Sequence, residues 1–152
     1  MGSANEQILG AVALAMALLA LTTALHYAGL KLLARPRRGP LFRPGPVFAI
    51  TALVALHLAE IGLYAAAFAA GTEVLGLGKL HGLASGSGLD YFYFASQTYS
   101  TLGYGDVVPM GALRMIASVE PLNGLLLLAW SGAFLFRHLD DRPDQGRRAR
   151  SK

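Results

Sequence analysis

The sequence has no cysteine and few charges, 14% of its 152 residues. Without thiols there is neither a disulfide framework nor a thiolate metal site, and His26, His57, His81 and His138 lack zinc-type spacing. A soluble domain carries about a quarter charged residues, so the deficit argues against an ordinary soluble protein. No nucleophile is paired with a base, and one histidine with carboxylates is too thin a metal set, so no enzyme is expected. Arginines at every third position are missing from the first helix, which argues against a voltage sensor. No internal repeat is found.

What the chain does have is apolar residues, 54%, gathered into three long blocks. The first, Gln7 to Leu30, holds no charged residue and as a helix measures about 36 Å, more than the roughly 30 Å hydrocarbon thickness. Glu6 precedes it and Lys31, Arg35, Arg37 and Arg38 follow, the reverse of a secretory signal, so a retained helix is expected. Met1, Gly2 and Ser3 are given no role. The second block, 46–70, encloses His57 and Glu60; the third, 112–136, encloses Glu120 and Pro121. Between them lie a glycine-rich loop, Gly71 to Gly88, and a stretch, 89–100, that as a helix would be only about 18 Å long. The expected fold is an all-α membrane protein with three transmembrane helices and one short re-entrant helix.

Basic residues set the expected orientation. Five of the 13 Lys and Arg follow the first block and six lie in the tail, leaving two elsewhere. The positive-inside tendency then makes those two regions cytoplasmic and puts the N-terminus and the loop from Gly71 to Gly111 outside. A nucleic-acid-binding tail is disfavoured by its Asp140, Asp141 and Asp144 and its lack of aromatics.

After the short helix comes Thr101-Leu-Gly-Tyr-Gly-Asp106, a pattern expected by chance about once in ten thousand sequences of this length and composition. Here the chain resembles the prokaryotic potassium-channel pore-domain family, whose filter reads Thr-(Val/Ile/Leu)-Gly-(Tyr/Phe)-Gly and usually Asp. Arg114, Glu120 and Gly124 reproduce a spacing of that family's inner helix. His57 and Glu60, Asn123 and Gly124, and Trp130 and Ser131 resemble a group of small bacterial ion-channel proteins. The resemblance covers about 47–136 and divides the chain into an extra N-terminal helix (1–34), a cytoplasmic basic connector (35–45), a pore domain (46–136, with outer helix 46–70, pore helix 89–100, filter 101–106 and inner helix 112–136) and a cytoplasmic basic tail (137–152).

The resemblance implies that backbone carbonyls of Thr101, Leu102, Gly103, Tyr104 and Gly105 replace the hydration shell of K+. Neutral carbonyls do this without the deep trap of a carboxylate ring, and Gly103 and Gly105 supply positive φ at no steric cost. Leu102, where Val is commoner, is β-unbranched and less stiff. Asp106, Gln97, Tyr93 and Phe94 are expected to support the filter, Tyr93 and Gln97 by bonding Asp106, with Tyr104 packed on the aromatic belt. One filter per chain demands three identical partner subunits in the lipid bilayer, and the C-terminal ends of the four short helices, near Ser100, would favour cations. No organic cofactor, nucleic acid or small-molecule substrate is implied. The expected product is a tetrameric potassium-selective channel of the cell inner (plasma) membrane; a non-selective cation pore or a non-conducting membrane subunit that keeps the fold is the alternative.

Pro121, beside Gly124, marks the expected bend of the inner helix. The 16 residues after Phe136 leave no room for a regulatory domain. Ala13, Ala17 and Ala20 are expected to let the first helix pack closely against the outer helix, away from the ion path. His57 with Glu60, and Glu120 with Asn123, each share a helix face and are expected to bond one another across the two helices, as a fixed clasp or as a proton-sensitive gate.

Overall fold

The computed structural model describes residues 3–35 and 45–140, the last three by backbone alone; most of the basic connector and of the basic tail lies outside the described residues. The element order is α1 (Ala4–Leu33), α2 (Pro46–Glu73), β1 (Leu80–His81), α3 (Gly88–Tyr99), β2 (Val108–Pro109) and α4 (Leu113–Asp140). α1, α2 and the Leu113–Arg137 part of α4 are long and apolar enough to cross a membrane, so the fold is all-α with a minimal hairpin.

Local chemistry explains where the helices start. Ser3 and Glu6 form a capping box on α1, so Ser3, given no role above, closes the helix start. Pro46 occupies the first turn of α2, where its missing N–H costs nothing. α3 opens on a second capping box, Ser87 with Asp90. Asp90 also accepts from the Ser85 N–H (2.8 Å) and hydroxyl (2.9 Å), and these bonds, the backbone one foremost, hold its carboxyl below the usual carboxylate range.

α2 runs three residues past its expected end, because Gly71 carries no Cβ and passes directly beneath Leu113. In the loop that follows, Leu80 pairs with Pro109 and His81 with Val108 in an antiparallel ladder. Bonds from Met110 N–H to the Lys79 carbonyl (2.8 Å) and from Ala112 N–H to the Leu77 carbonyl (2.7 Å) prolong it toward α4. Two-residue strands leave no alternation to read, so none was expected here.

Thr22 and His26 of α1 reach Asn123 and Ser131 of α4 in the same order, so these helices run parallel. α2 is antiparallel to both. Arg35 and Arg137 consequently lie at one end of the bundle, and Gln7, bonded to the Gly76 carbonyl at 3.2 Å, lies at the other with the filter loop.

The face of α1 that meets the bundle is Ala11, Ala15, Leu18, Thr22, His26 and Leu30. Ala13, Ala17 and Ala20, expected to make this contact, are exposed instead. The reason is polarity: Thr22 and His26 must face protein, and helical periodicity then selects Ala11 and Ala15. α1 also packs on both α2 and α4, not on the outer helix alone.

Tyr64, Phe68, Tyr99, Leu113 and Ile116 are fully buried and form the centre of the core. Phe94 of α3 meets Phe68 of α2 edge to face, with centroids 4.9 Å apart. At Gly124 a Cβ would stand 2.1 Å from the Tyr99 carbonyl oxygen, so α4 touches the end of α3 through bare backbone. The bend expected beside Pro121 and Gly124 must compete with this packing; α4 is helical throughout from Leu113 to Asp140.

Gly124→Ala should therefore destabilise the protein by about 1–3 kcal/mol, the usual cost of overpacking. Gly10→Ala, with nothing within 4 Å of its added Cβ, should not. Thermal unfolding of the two full-length variants in detergent measures the difference, and equal midpoints would remove the backbone contact.

Candidate functional site: the filter loop and the polar network behind it

The loop from Thr101 to Asp106 leaves the end of α3 with its backbone tied to the helix it has just left. Thr101 N–H donates to the Thr98 carbonyl (3.1 Å), and Leu102 and Gly103 N–H groups both reach the Gln97 carbonyl, at 2.9 and 3.3 Å. These bonds occupy carbonyls of the last helical turn that would otherwise be orphaned. Alternate residues are then left-handed: Thr101 at φ +62°, Gly103 at +52° and Gly105 at +81°. The glycines adopt this freely. Thr101, which is β-branched, is strained there by about 1–3 kcal/mol and persists only because its surroundings hold it. Alternating handedness turns successive peptide carbonyls toward one side of the chain, the arrangement a cation needs in place of water.

Side chains brace the loop from behind. Tyr93 donates its hydroxyl to Asp106 Oδ2 at 2.7 Å, and Gln97 Oε1 accepts the Tyr104 N–H at 3.0 Å. The Tyr93 hydroxyl foremost, then the Asp106 and Val107 N–H groups, hold the Asp106 carboxyl below its ordinary range. Gln97, expected to bond Asp106, serves the Tyr104 N–H instead, and its Nε2 is buried without a hydrogen-bond partner among the described residues. Phe94 is buried against Phe68, so it anchors α3 to α2 and does not line the loop. Tyr104 is 68% exposed and Leu102 56%, so neither packs on its own chain's aromatics. Non-helical backbone of this kind at membrane depth is tolerated where it is buried in protein or lines a water-filled cavity.

Behind this loop lies a buried polar network drawn from four helices. The Glu60 carboxyl of α2 lies 2.9 Å from His26 Nδ1 of α1 and 3.1 Å from His57 Nδ1, and accepts from the Tyr99 hydroxyl of α3 at 2.5 Å. His57 Nε2 and His26 Nε2 face Ser131 Oγ of α4 at 2.9 and 3.4 Å. His26 also packs on Trp130, with ring centroids 5.5 Å apart. One turn away, the Asn123 side-chain amide lies 2.6 Å from Thr22 Oγ1 and 3.0 Å from the Tyr64 hydroxyl.

The expected clasp of Glu120 and Asn123 on His57 and Glu60 is not the one that forms. Asn123 turns to α1 and Tyr64, and both Glu120 carboxylate oxygens are buried without a hydrogen-bond partner among the described residues. His57 and Glu60 find their partners in His26, Tyr99 and Ser131. Sequence reading missed His26, Thr22 and Tyr99 because spacing says nothing of residues 34 to 101 positions apart. The signal that could have found them is polar character inside an apolar span.

A family model described as "Ion channel" matches residues 58–140. The inward rectifier potassium channel Kirbac3.1 of Paramagnetospirillum magnetotacticum is 34% identical over 102 residues, covering 66% of this chain and 32% of that protein. The chain thus spans about a third of the length of the curated relative it matches.

Because Asp106 is held low in the folded protein, the support it lends the loop is present above the ordinary carboxyl value and lost as pH falls through the lowered folded value. Tyr93→Phe removes the largest contributor, so the Asp106 carboxyl should titrate at higher pH in that variant. Carboxyl-carbon NMR of the two proteins measures the shift; identical midpoints would contradict the assignment.

Proposed function

Because the chain belongs to the prokaryotic potassium-channel pore-domain family of ion channels, we propose that four copies of it enclose a potassium-selective pore in the plasma membrane. The observation that carries this reading is the alternation of left-handed backbone at Thr101, Gly103 and Gly105 within Thr-Leu-Gly-Tyr-Gly. Around an axis, four such segments supply rings of neutral carbonyls from Thr101, Leu102, Gly103 and Tyr104, with Gly105 completing the turn. A dehydrated K+ exchanges its water oxygens for these at little cost and moves between rings without a deep trap.

Single-chain exposure supports the fourfold assembly. The filter backbone and the side chains of Leu102 and Tyr104 have no cover within one subunit, whereas the back of the loop is fully braced by Tyr93, Gln97 and Asp106. Neighbouring copies are the natural cover, since closed cyclic symmetry presents the same edge to each subunit in turn. The orientation we assign puts the filter and the N-terminal end of α1 outside and the ends carrying Arg35 and Arg137 in the cytoplasm. The potassium in the name of the matched relative agrees with the ion we assign.

Flux through the purified protein in liposomes is the direct test. Potassium should exceed sodium by at least tenfold, with block by barium from the inner side; equal fluxes would leave a relaxed cation pore, and no flux a non-conducting subunit. Gly103→Ala places a Cβ at φ +52° and should abolish conduction while the tetramer survives native mass measurement. A variant that still conducts selectively would overturn the carbonyl-ladder reading.

A further inference from the structure

A proton count at the junction of α1, α2, α3 and α4 exposes a shortfall. An ionised carboxylate only accepts hydrogen bonds, so His26 Nδ1 and His57 Nδ1, which face opposite oxygens of Glu60 at 2.9 and 3.1 Å, must both carry hydrogens. Each neutral ring is then left with a bare Nε2. Both of these nitrogens face the same Ser131 hydroxyl, at 2.9 and 3.4 Å, and a hydroxyl has one hydrogen to give. One buried acceptor goes unserved.

We propose that His26, His57 and Glu60 form a binding site for a zinc-class divalent cation, closed by the Tyr99 hydroxyl and backed by Ser131. Their donor atoms all lie within 4.8 Å of one another, and all three side chains are buried. Ligands at about 2.0–2.2 Å from a tetrahedral zinc stand about 3.3–3.6 Å apart. His26 Nδ1 and His57 Nδ1 sit 2.9 and 3.1 Å from different oxygens of Glu60, within a set no wider than 4.8 Å, so the close pairs must open by a few tenths of an ångström and any wider pair must close by up to about one. Tyr99 Oη, 2.9 Å from His57 Nδ1, is placed to be the fourth ligand. Two imidazole nitrogens select a zinc-type ion over magnesium or calcium, which prefer all-oxygen shells.

Metal binding also removes the shortfall. With the cation on both Nδ1 lone pairs, each ring carries its hydrogen on Nε2, and the two lone pairs of Ser131 Oγ accept both. A hydroxyl that orients both metal-bound imidazoles is an outer shell of the kind that tunes metal affinity. Glu60 neutralises one of the two positive charges. Because the ligands come from α1, α2 and α3 and the backing from α4, the ion would pin α1 to the other three helices. This inference does not depend on which ion the pore passes.

The test uses the full-length protein, stripped with chelator and then equilibrated with Zn2+ or Co2+. Bound zinc should reach one ion per chain, and Co2+ should give the intense visible bands of a four-coordinate site. His26→Gln and Glu60→Gln should lose both signals. Ser131→Ala, which keeps every ligand, should bind zinc about 10- to 100-fold more weakly. Zinc should raise the thermal midpoint of the wild type and not that of His26→Gln. His81→Gln, which changes a histidine outside the cluster, should bind as wild type does. An extra proton on one imidazole is the competing remedy for the shortfall. Wild-type protein that binds no more zinc than His26→Gln, or zinc retained in full by Glu60→Gln, would overturn the site.

Discussion

A carboxylate deep in an apolar slab costs several kcal/mol unless its oxygens are met by donors, and Glu60 meets that condition by drawing on α1 and α3 as well as its own helix. Much of the arrangement follows from it. His26 has to arrive from α1, which fixes the rotation of that helix about its axis and so selects Ala11 and Ala15 as its packing face. Tyr99 has to present its hydroxyl from the last turn of α3, which fixes the rotation of the pore helix. Ser131 bridges the two rings from α4. Four helices that share no sequence neighbourhood are thereby set in one register by a single buried acid.

The filter obeys the opposite economy. Its back is tied down by Gln97, Tyr93 and Asp106, while its front is left as strained and uncovered backbone. Within the chain the polar network is closed on itself, whereas Leu102 and Tyr104 at the front of the loop stay exposed.

The spans and the left-handed glycines of the loop after α3 were legible in the sequence because each is a local pattern: long apolar runs for the former, Gly103 and Gly105 among five dense positions for the latter. Pairing between distant residues was not. His57 and Glu60 are three apart and could be placed on one face, but nothing local says that His26, 34 residues before Glu60, is the missing partner. Glu120 and Asn123 were grouped by the same rule and turn out to have different surroundings, since one sits without a hydrogen-bond partner among the described residues and the other reaches Thr22 and Tyr64. Residue size alone pointed to Ala13, Ala17 and Ala20 as the packing face of α1; Thr22 and His26, polar in an apolar run, select Ala11 and Ala15 instead. The left-handed Thr101 carries no local signal at all, because its conformation is imposed by the bonds that Leu102 and Gly103 make to Gln97.

Contact between Gly124 and the Tyr99 carbonyl has a mechanical meaning. Most helix pairs meet through side chains, which change rotamer and so absorb small displacements before the backbone feels them. Here the intermediate layer is absent, and the Tyr99 side chain beyond the contact is itself bonded to Glu60. A shift of the inner helix at this level therefore arrives at the base of the filter undamped, two residues before Thr101. The same stiffness runs in reverse: whatever alters the spacing of the filter segment is felt at the midpoint of α4 as a push on bare backbone.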